Sequence, residues 1–188
     1  MATAQQRVDE ALAAVPRSRF LPEAVREAAA EDRPLPIGHG ATCSQPTTVR
    51  HMLVLLDVHP GQRVLDVGSG SGWTTALLAH LVGPAGEVLG VELEPELVET
   101  ARPRLTDPWS QVVVARPGVL GAPDRGPWDR VLVSAEGTVA TADVLAAQLA
   151  DGGRLICPVG DQLLELERHG DQVTRRDTGG SWRFVPLR

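Results

Sequence analysis

Residues 64–73 read Val-Leu-Asp-Val-Gly-Ser-Gly-Ser-Gly-Trp, the run whose residue types and spacing point most directly to ligand chemistry. Gly68, Gly70 and Gly72 alternate with serines after an apolar stretch, the pattern of a strand that turns sharply into a helix. Glycines there reach backbone conformations closed to other residues and let a ligand approach with no Cβ in the way. The same glycines also suit a purely structural turn. Glu92 weighs against that reading. It closes the next apolar run about twenty residues beyond the turn, where a carboxylate accepts hydrogen bonds from ribose hydroxyls. A solvated strand-end charge is the alternative for Glu92.

The spacing is Gly-x-Gly-x-Gly rather than the Gly-x-Gly-x-x-Gly of pyrophosphate binding. Asp66 precedes the first glycine by two residues. A carboxylate is unfavourable beside a pyrophosphate but favourable beside the amino and sulfonium groups of S-adenosylmethionine (SAM). Asp66 could instead bond backbone amides of the turn. Together these features place SAM ahead of NAD.

Other reactive residue types are sparse. Ser44 precedes Gln45-Pro46 at the start of an apolar-periodic run, and taken alone it reads as a helix cap. Cys43 has no identifiable activating base and reads as a small buried side chain. With Cys157 it makes two cysteines far apart, which fits structural thiols in a reducing compartment. The histidines lack metal-ligand spacing, so no metal site is expected. Apolar residues make up 43% and charged residues 22% of the chain, as in soluble globular proteins. A net charge of −6, with no lysine and no basic block, argues against a nucleic-acid partner. No apolar run reaches the roughly 18 residues needed to span a bilayer, and the N-terminus lacks a signal-peptide layout. The expectation is a cytoplasmic protein without a membrane partner.

The elements that must position these residues follow from periodicity and breakers. Helices are predicted over Val8–Ala14, closed by Pro16, over Glu23–Ala30, and over Thr47–Leu56, opened by Pro46. Residues 32–40 (DRPLPIGHG) read as irregular. From His59 strands and helices alternate. Strands fall at Arg63–Val67, Gly86–Val91, Val112–Ala115, Asp129–Ser134 and Arg154–Val159. Helices fall at Trp73–Val82, Pro95–Leu105 and Ala140–Leu149, with a tight turn at Asp151–Gly153. Leu163–Arg168 and Trp182–Pro186 read as closing strands. The alternation implies an α/β fold, a mostly parallel sheet covered on both faces, with ligands at the carboxyl ends of its strands. The 188 residues read as a single domain. Residues 1–58 form a helical and substrate-loop segment, 59–160 the α/β core, and 161–188 the closing antiparallel edge.

Over nearly its whole length the chain resembles the protein-L-isoaspartate O-methyltransferases. Val15-Pro16-Arg17 with Arg19-Phe20-Leu21-Pro22, the loop 31–40 (EDRPLPIGHG), and 42–46 (TCSQP) are similar to that family's N-terminal part. VLDVGSGSGW resembles its cofactor loop, and DRVLVSA (129–135), QLADGGRLICPVG (148–160) and RFVPL (183–187) its later strands. The cofactor loop is shared by many methyltransferases. PLPIG, SQP and the closing FVPL are more specific.

The resemblance implies a Rossmann-like class I methyltransferase, monomeric, that moves a methyl group from SAM to the free α-carboxylate of L-isoaspartyl residues in damaged proteins. S-adenosylhomocysteine is the product, and the ester cyclises to a succinimide. It implies an active-site role for Ser44, which reverses the cap reading. It carries cofactor contact to Asp66, Gly68, Ser69, Gly70, Gly72, Glu92, Leu93, Gln45, Thr47 and Pro117. The substrate loop it marks comprises Pro36, Ile37, Gly38, His39 and Thr42. Three positions depart from the family pattern. Arg116-Pro117-Gly118 stands where Gly-Asp-Gly is usual, so the adenine side lacks its carboxylate. Glu136 follows Ala135 where a second alanine is expected, which would set a carboxylate near the cleft mouth. Thr47 replaces an aromatic residue or histidine. The helix before the cofactor strand and the region after Leu187 look trimmed. These departures keep two other readings open: a related enzyme retuned to another carboxylate, such as a modified peptide, and a SAM-binding protein with little catalysis.

Overall fold

The computed structural model describes residues 2–187. Helix α1 (Ala4–Ala14) starts four residues earlier than the apolar spacing suggested. Its start is set by a capping box in which Gln6 N–H donates to Thr3 Oγ1 and Thr3 N–H donates to Gln6 Oε1. Arg17–Phe20 and Glu23–Ala30 are 3-10 helices, so the second is not the α-helix that its alanines predicted. None of its residues is fully buried; Val25, Ala28 and Ala29 pack only partly against the core, which gives little preference for the α period over the tighter one.

The stretch predicted to be irregular is a β-hairpin, strands β1 (Leu35–Gly38) and β2 (Ala41–Cys43). Leu35 and Ile37 alternate inward while Pro36 faces solvent on a strand whose other edge is unpaired, where a missing N–H costs nothing. The glycines that argued against structure make the turn, with φ of 98° at Gly38 and 73° at Gly40. Helix α2 (Pro46–Leu56) follows and buries Val49, Met52, Leu53 and Leu56 on one face, as expected.

The core is a seven-stranded sheet built from β3 (Arg63–Val67), β4 (Glu87–Glu92), β5 (Ser110–Val114), β6 (Trp128–Val133), β7 (Leu149–Val159), β8 (Gln162–His169) and β9 (Gln172–Asp177). Its strand order is β5-β4-β3-β6-β7-β8-β9. The first five are parallel, and β8 and β9 close the edge antiparallel. Helices α3 (Trp73–Val82), α4 (Pro95–Ala101) and α5 (Val139–Ala146) provide the crossovers. Helices α1, α2 and α3 pack on one face over Val64, Val88, Leu132 and Ile156. Helix α5 packs on the other over Leu65, Val131, Val133 and Leu155.

Several boundaries differ from the sequence reading. Helix α4 gives way at Arg102 to a 3-10 turn containing Pro103. Helix α5 ends at Ala146, and Leu149 opens β7 by pairing with Trp128. Asp151-Gly152-Gly153 is therefore not a turn before the strand but an irregularity within it, with Gly152 at φ 72°. Strand β9 was not anticipated because all six of its residues are exposed and polarity gave no alternation to read. Trp182–Pro186 is not a strand; its one β-bridge among the described residues is an isolated one, Glu136 to Pro186, outside the named strands. Among the described residues no helix is long and apolar enough to cross a membrane.

Candidate functional site

Strands β3 and β6 are neighbours from which the chain crosses over in opposite directions, which makes their carboxyl ends the switch point of the sheet. A cleft of about 610 Å³ opens there, floored by Val67, Val91, Ala115 and Ser134 at successive strand ends. Gly68 and Gly70 line it at φ 76° and 54°. A Cβ on Gly70 would sit 3.0 Å from Ile37 Cδ1, so the loop passes close beneath the β1–β2 hairpin. Glu92 also lines the cleft. Its carboxylate accepts from Gly70 N–H at 2.8 Å and from Glu94 N–H at 3.1 Å, which fixes it at the rim. Leu93 and Pro117 line the same cleft.

Asp66 does not. Its side chain is fully buried below the loop, accepting from Thr74 Oγ1 and Thr75 Oγ1 at 2.7 Å each and from Ser134 Oγ at 3.0 Å. Burial pushes its pKa up while the three hydroxyls oppose the shift. The expectation that Asp66 faces a cofactor cation is thus corrected: its carboxylate ties β3, α3 and β6 together under the site. Gly72 is corrected likewise. It caps α3 at φ 88°, where a Cβ would meet Ala101 at 3.2 Å, and it serves packing against α4. Ser69 lies off the main cleft, in a gap of about 30 Å³ shared with Ser44, Ser71 and Ser134. Its Oγ is buried without a hydrogen-bond partner.

Beyond Thr42 and Ser134 lies a second pocket of about 210 Å³, lined by Ser44, Gln45 and Thr48 on one side and Arg183, Phe184 and Val185 on the other. Thr42 and Ser134 line all three cavities, so these two residues form the passage between cleft and pocket. Gln45 is corrected from the cofactor cleft to this pocket. Thr47 lines none of the three. Its N–H and hydroxyl donate to Asp32 at 2.9 and 2.8 Å, and these bonds hold the Asp32 carboxyl below its ordinary value. Asp32 therefore caps α2 from fifteen residues upstream. The Ser44 hydroxyl, which alone read as that cap, makes no hydrogen bond among the described residues and is left facing the pocket.

Of the other loop residues, His39 lines the cleft with Nε2 3.1 Å from Glu96 Oε2. Pro36 points to solvent, Ile37 is buried beneath the hairpin, and Gly38 forms the turn, so these three shape the loop rather than line a cavity. Arg17, also unforeseen, anchors the hairpin. Only 5% exposed, its guanidinium donates to the carbonyls of Ala29, Glu31, Arg33 and Cys43. At the far end, Arg116 pairs with Asp124, and Gln148 holds the 120–122 backbone through Leu120 O and Ala122 N. Glu136 does not reach the cleft with its side chain; its backbone pins Val185 and Leu187 by bonds of 2.8 and 2.7 Å. Both cysteines are buried, and burial pushes Cys157 up to about 12. Among the described residues no cluster fit for a metal occurs.

A glycine-rich loop, a strand-end carboxylate and a cleft at the switch point define a nucleotide-type site on a doubly wound sheet. Known proteins narrow this. The model of the protein-L-isoaspartate(D-aspartate) O-methyltransferase (PCMT) family matches residues 2–188, and the chain belongs to that family. A protein-L-isoaspartate O-methyltransferase of Methanopyrus kandleri is 43% identical over 189 residues, covering 96% of this chain and 83% of its own. Among solved structures, a protein-L-isoaspartate O-methyltransferase superposes with TM-score 0.83 at 23% identity over 96% of this chain. The chain spans 61% of that structure's length. A Plasmodium falciparum chain of the same described class, solved in complex with S-adenosyl-L-homocysteine, gives TM-score 0.78 at 23% identity, covering 97% of this chain and 90% of its own. These two likenesses establish the shared fold.

Proposed function

We propose that this chain methylates the free α-carboxylate of L-isoaspartyl residues in proteins, with SAM as methyl donor. The observation that carries the reading is the meeting of a nucleotide-sized cleft and a small hydroxyl-lined pocket at Thr42 and Ser134, with the uncommitted Ser44 hydroxyl on the pocket side. The cleft suits the donor. Gly68 and Gly70 leave room beside the backbone, and Glu92 offers carboxylate lone pairs at the rim. Leu93 and Pro117 face the adenine side, where an apolar wall replaces a carboxylate. When bound, SAM supplies an electrophilic methyl whose bonding electrons remain on sulfur as the sulfonium becomes a neutral thioether.

The chain's own part is positioning. A substrate carboxylate, with pKa near 4, is ionised at neutral pH, so no side chain must take a proton. Ser44 donates a hydrogen bond to one carboxylate oxygen and so aims the other through the passage. Thr42 and Ser134 set the width of that passage. The hairpin tip and residues 183–187 exclude water from it. Absence of a general base is therefore expected. The single-domain division at 58 and 160 fits this arrangement, with the hairpin as substrate side and the sheet as donor side.

Matched isoaspartyl and aspartyl peptides, incubated with SAM and followed by S-adenosylhomocysteine release, test the reading. The isoaspartyl peptide alone should be esterified. Ser44→Ala should lower kcat roughly 10- to 100-fold with unchanged S-adenosylhomocysteine affinity. Equal labelling of the isomers, or labelling of neither, would refute it.

A further inference from the structure

If the pocket beside Ser44 receives an anion, as the proposed function requires, its wall carries one charge to meet it. Among the residues lining that pocket, Arg183 alone is charged. It is exposed, and among the described residues its guanidinium makes no hydrogen bond or ion pair. Arg63 and Arg154, by contrast, are committed to Glu87 and Glu167. The backbone on either side of Arg183 is held. Trp182 N–H donates to Asp161 O at 2.8 Å and its ring stacks on His51 at 4.9 Å, while Val185 O accepts from Glu136 N–H. The first turn of α2 contributes Thr48 to the same wall, so the positive end of a helix dipole lies there too.

We propose that Arg183 determines specificity for the charge of the methyl acceptor, pairing with the acceptor carboxylate while Ser44 orients it. The two contacts differ in kind. Ser44 would bond any oxygen acceptor, whereas a guanidinium discriminates a carboxylate from an amide or an ester. Methylation converts the anion into a neutral ester, which removes the charge that Arg183 recognises and favours exchange of product for substrate. Because Arg183 is exposed, its attraction acts partly through water and is screened by salt.

The test is steady-state methyl transfer to an isoaspartyl peptide at low and high salt by the whole chain, with Arg183→Gln and Arg183→Lys compared to wild type. S-adenosylhomocysteine affinity is measured alongside by calorimetry. Arg183→Gln should raise KM roughly tenfold, leave kcat and S-adenosylhomocysteine affinity unchanged, and flatten the salt dependence of kcat/KM. Arg183→Lys should keep the salt dependence and recover part of the KM. An Arg183→Gln protein with wild-type KM and salt dependence overturns the inference while leaving the proposed function standing. So does a fall in kcat at constant KM, or a loss of S-adenosylhomocysteine affinity, either of which marks a structural role. A wild-type chain that labels neither isomer overturns the proposed function, and this inference with it.

Discussion

Asp66 shows how one residue type at one position can serve two kinds of chemistry. Two residues ahead of a glycine turn, a carboxylate suits a cationic ligand, and nothing in the spacing says otherwise. Three hydroxyls, two from α3 and one from the end of β6, claim it instead. Ser134 lies 68 positions away in sequence, so that competition appears only once β6 pairs with β3. The burial has a consequence for stability. With its pKa raised, Asp66 holds its proton to higher pH in the folded state than in the unfolded chain, where 3.8 applies. The folded state then binds more protons across that window. Its stability contribution is full below the ordinary value and is lost as pH rises through the raised one. Asp66→Asn stays neutral throughout, so its urea midpoint should vary less with pH between 4 and the raised pKa than the wild-type midpoint does. Parallel slopes for the two proteins would count against this account.

At the scale of elements, the turn at 68–72 divides its glycines between two tasks. Gly68 and Gly70 border the cleft, whereas Gly72 lets α4 approach the start of α3. Gly72→Ala should therefore act on stability. With φ 88° and a Cβ contact of 3.2 Å to Ala101, it should cost more than about 1 kcal/mol in a denaturant titration. The elements themselves were largely legible. The strands at 63–67 and 128–133 and the helices at 46–56 and 73–82 emerge close to where periodicity and breakers put them. The hairpin and β9 were not, for opposite reasons. Prolines and glycines read as breakers are tolerated on a free edge and used in a turn. A strand exposed along its whole length shows no alternation, and its Arg175 and Arg176 keep a sheet edge charged against further pairing.

For the whole molecule, the C-terminal segment joins what the topology keeps apart. Val185 lines both the cleft and the Ser44 pocket, Leu187 approaches Gly68, and Glu136 holds both by backbone bonds. A chain ending at Gly180 retains every strand of the sheet. It should keep its far-ultraviolet circular dichroism while losing methyl transfer and weakening S-adenosylhomocysteine binding. Retained turnover would show that this segment is dispensable.

The chain's own residues were enough to indicate a parallel α/β sheet, a glycine loop with a strand-end carboxylate, and a family whose marks run from PLPIG to FVPL. Those are local or periodic properties, set by backbone sterics and by the alternation of apolar residues. Which side chains line the cleft and the pocket was decided only by tertiary structure. Asp32 caps α2 from fifteen residues upstream in place of Ser44, Asp66 and Gly72 were drawn into packing, and Ser134, Arg183 and Val185 were brought together around the Ser44 pocket. Each outcome turns on competition among hydrogen-bond donors, acceptors and volumes from distant segments, and such competition begins only when the sheet brings those segments together.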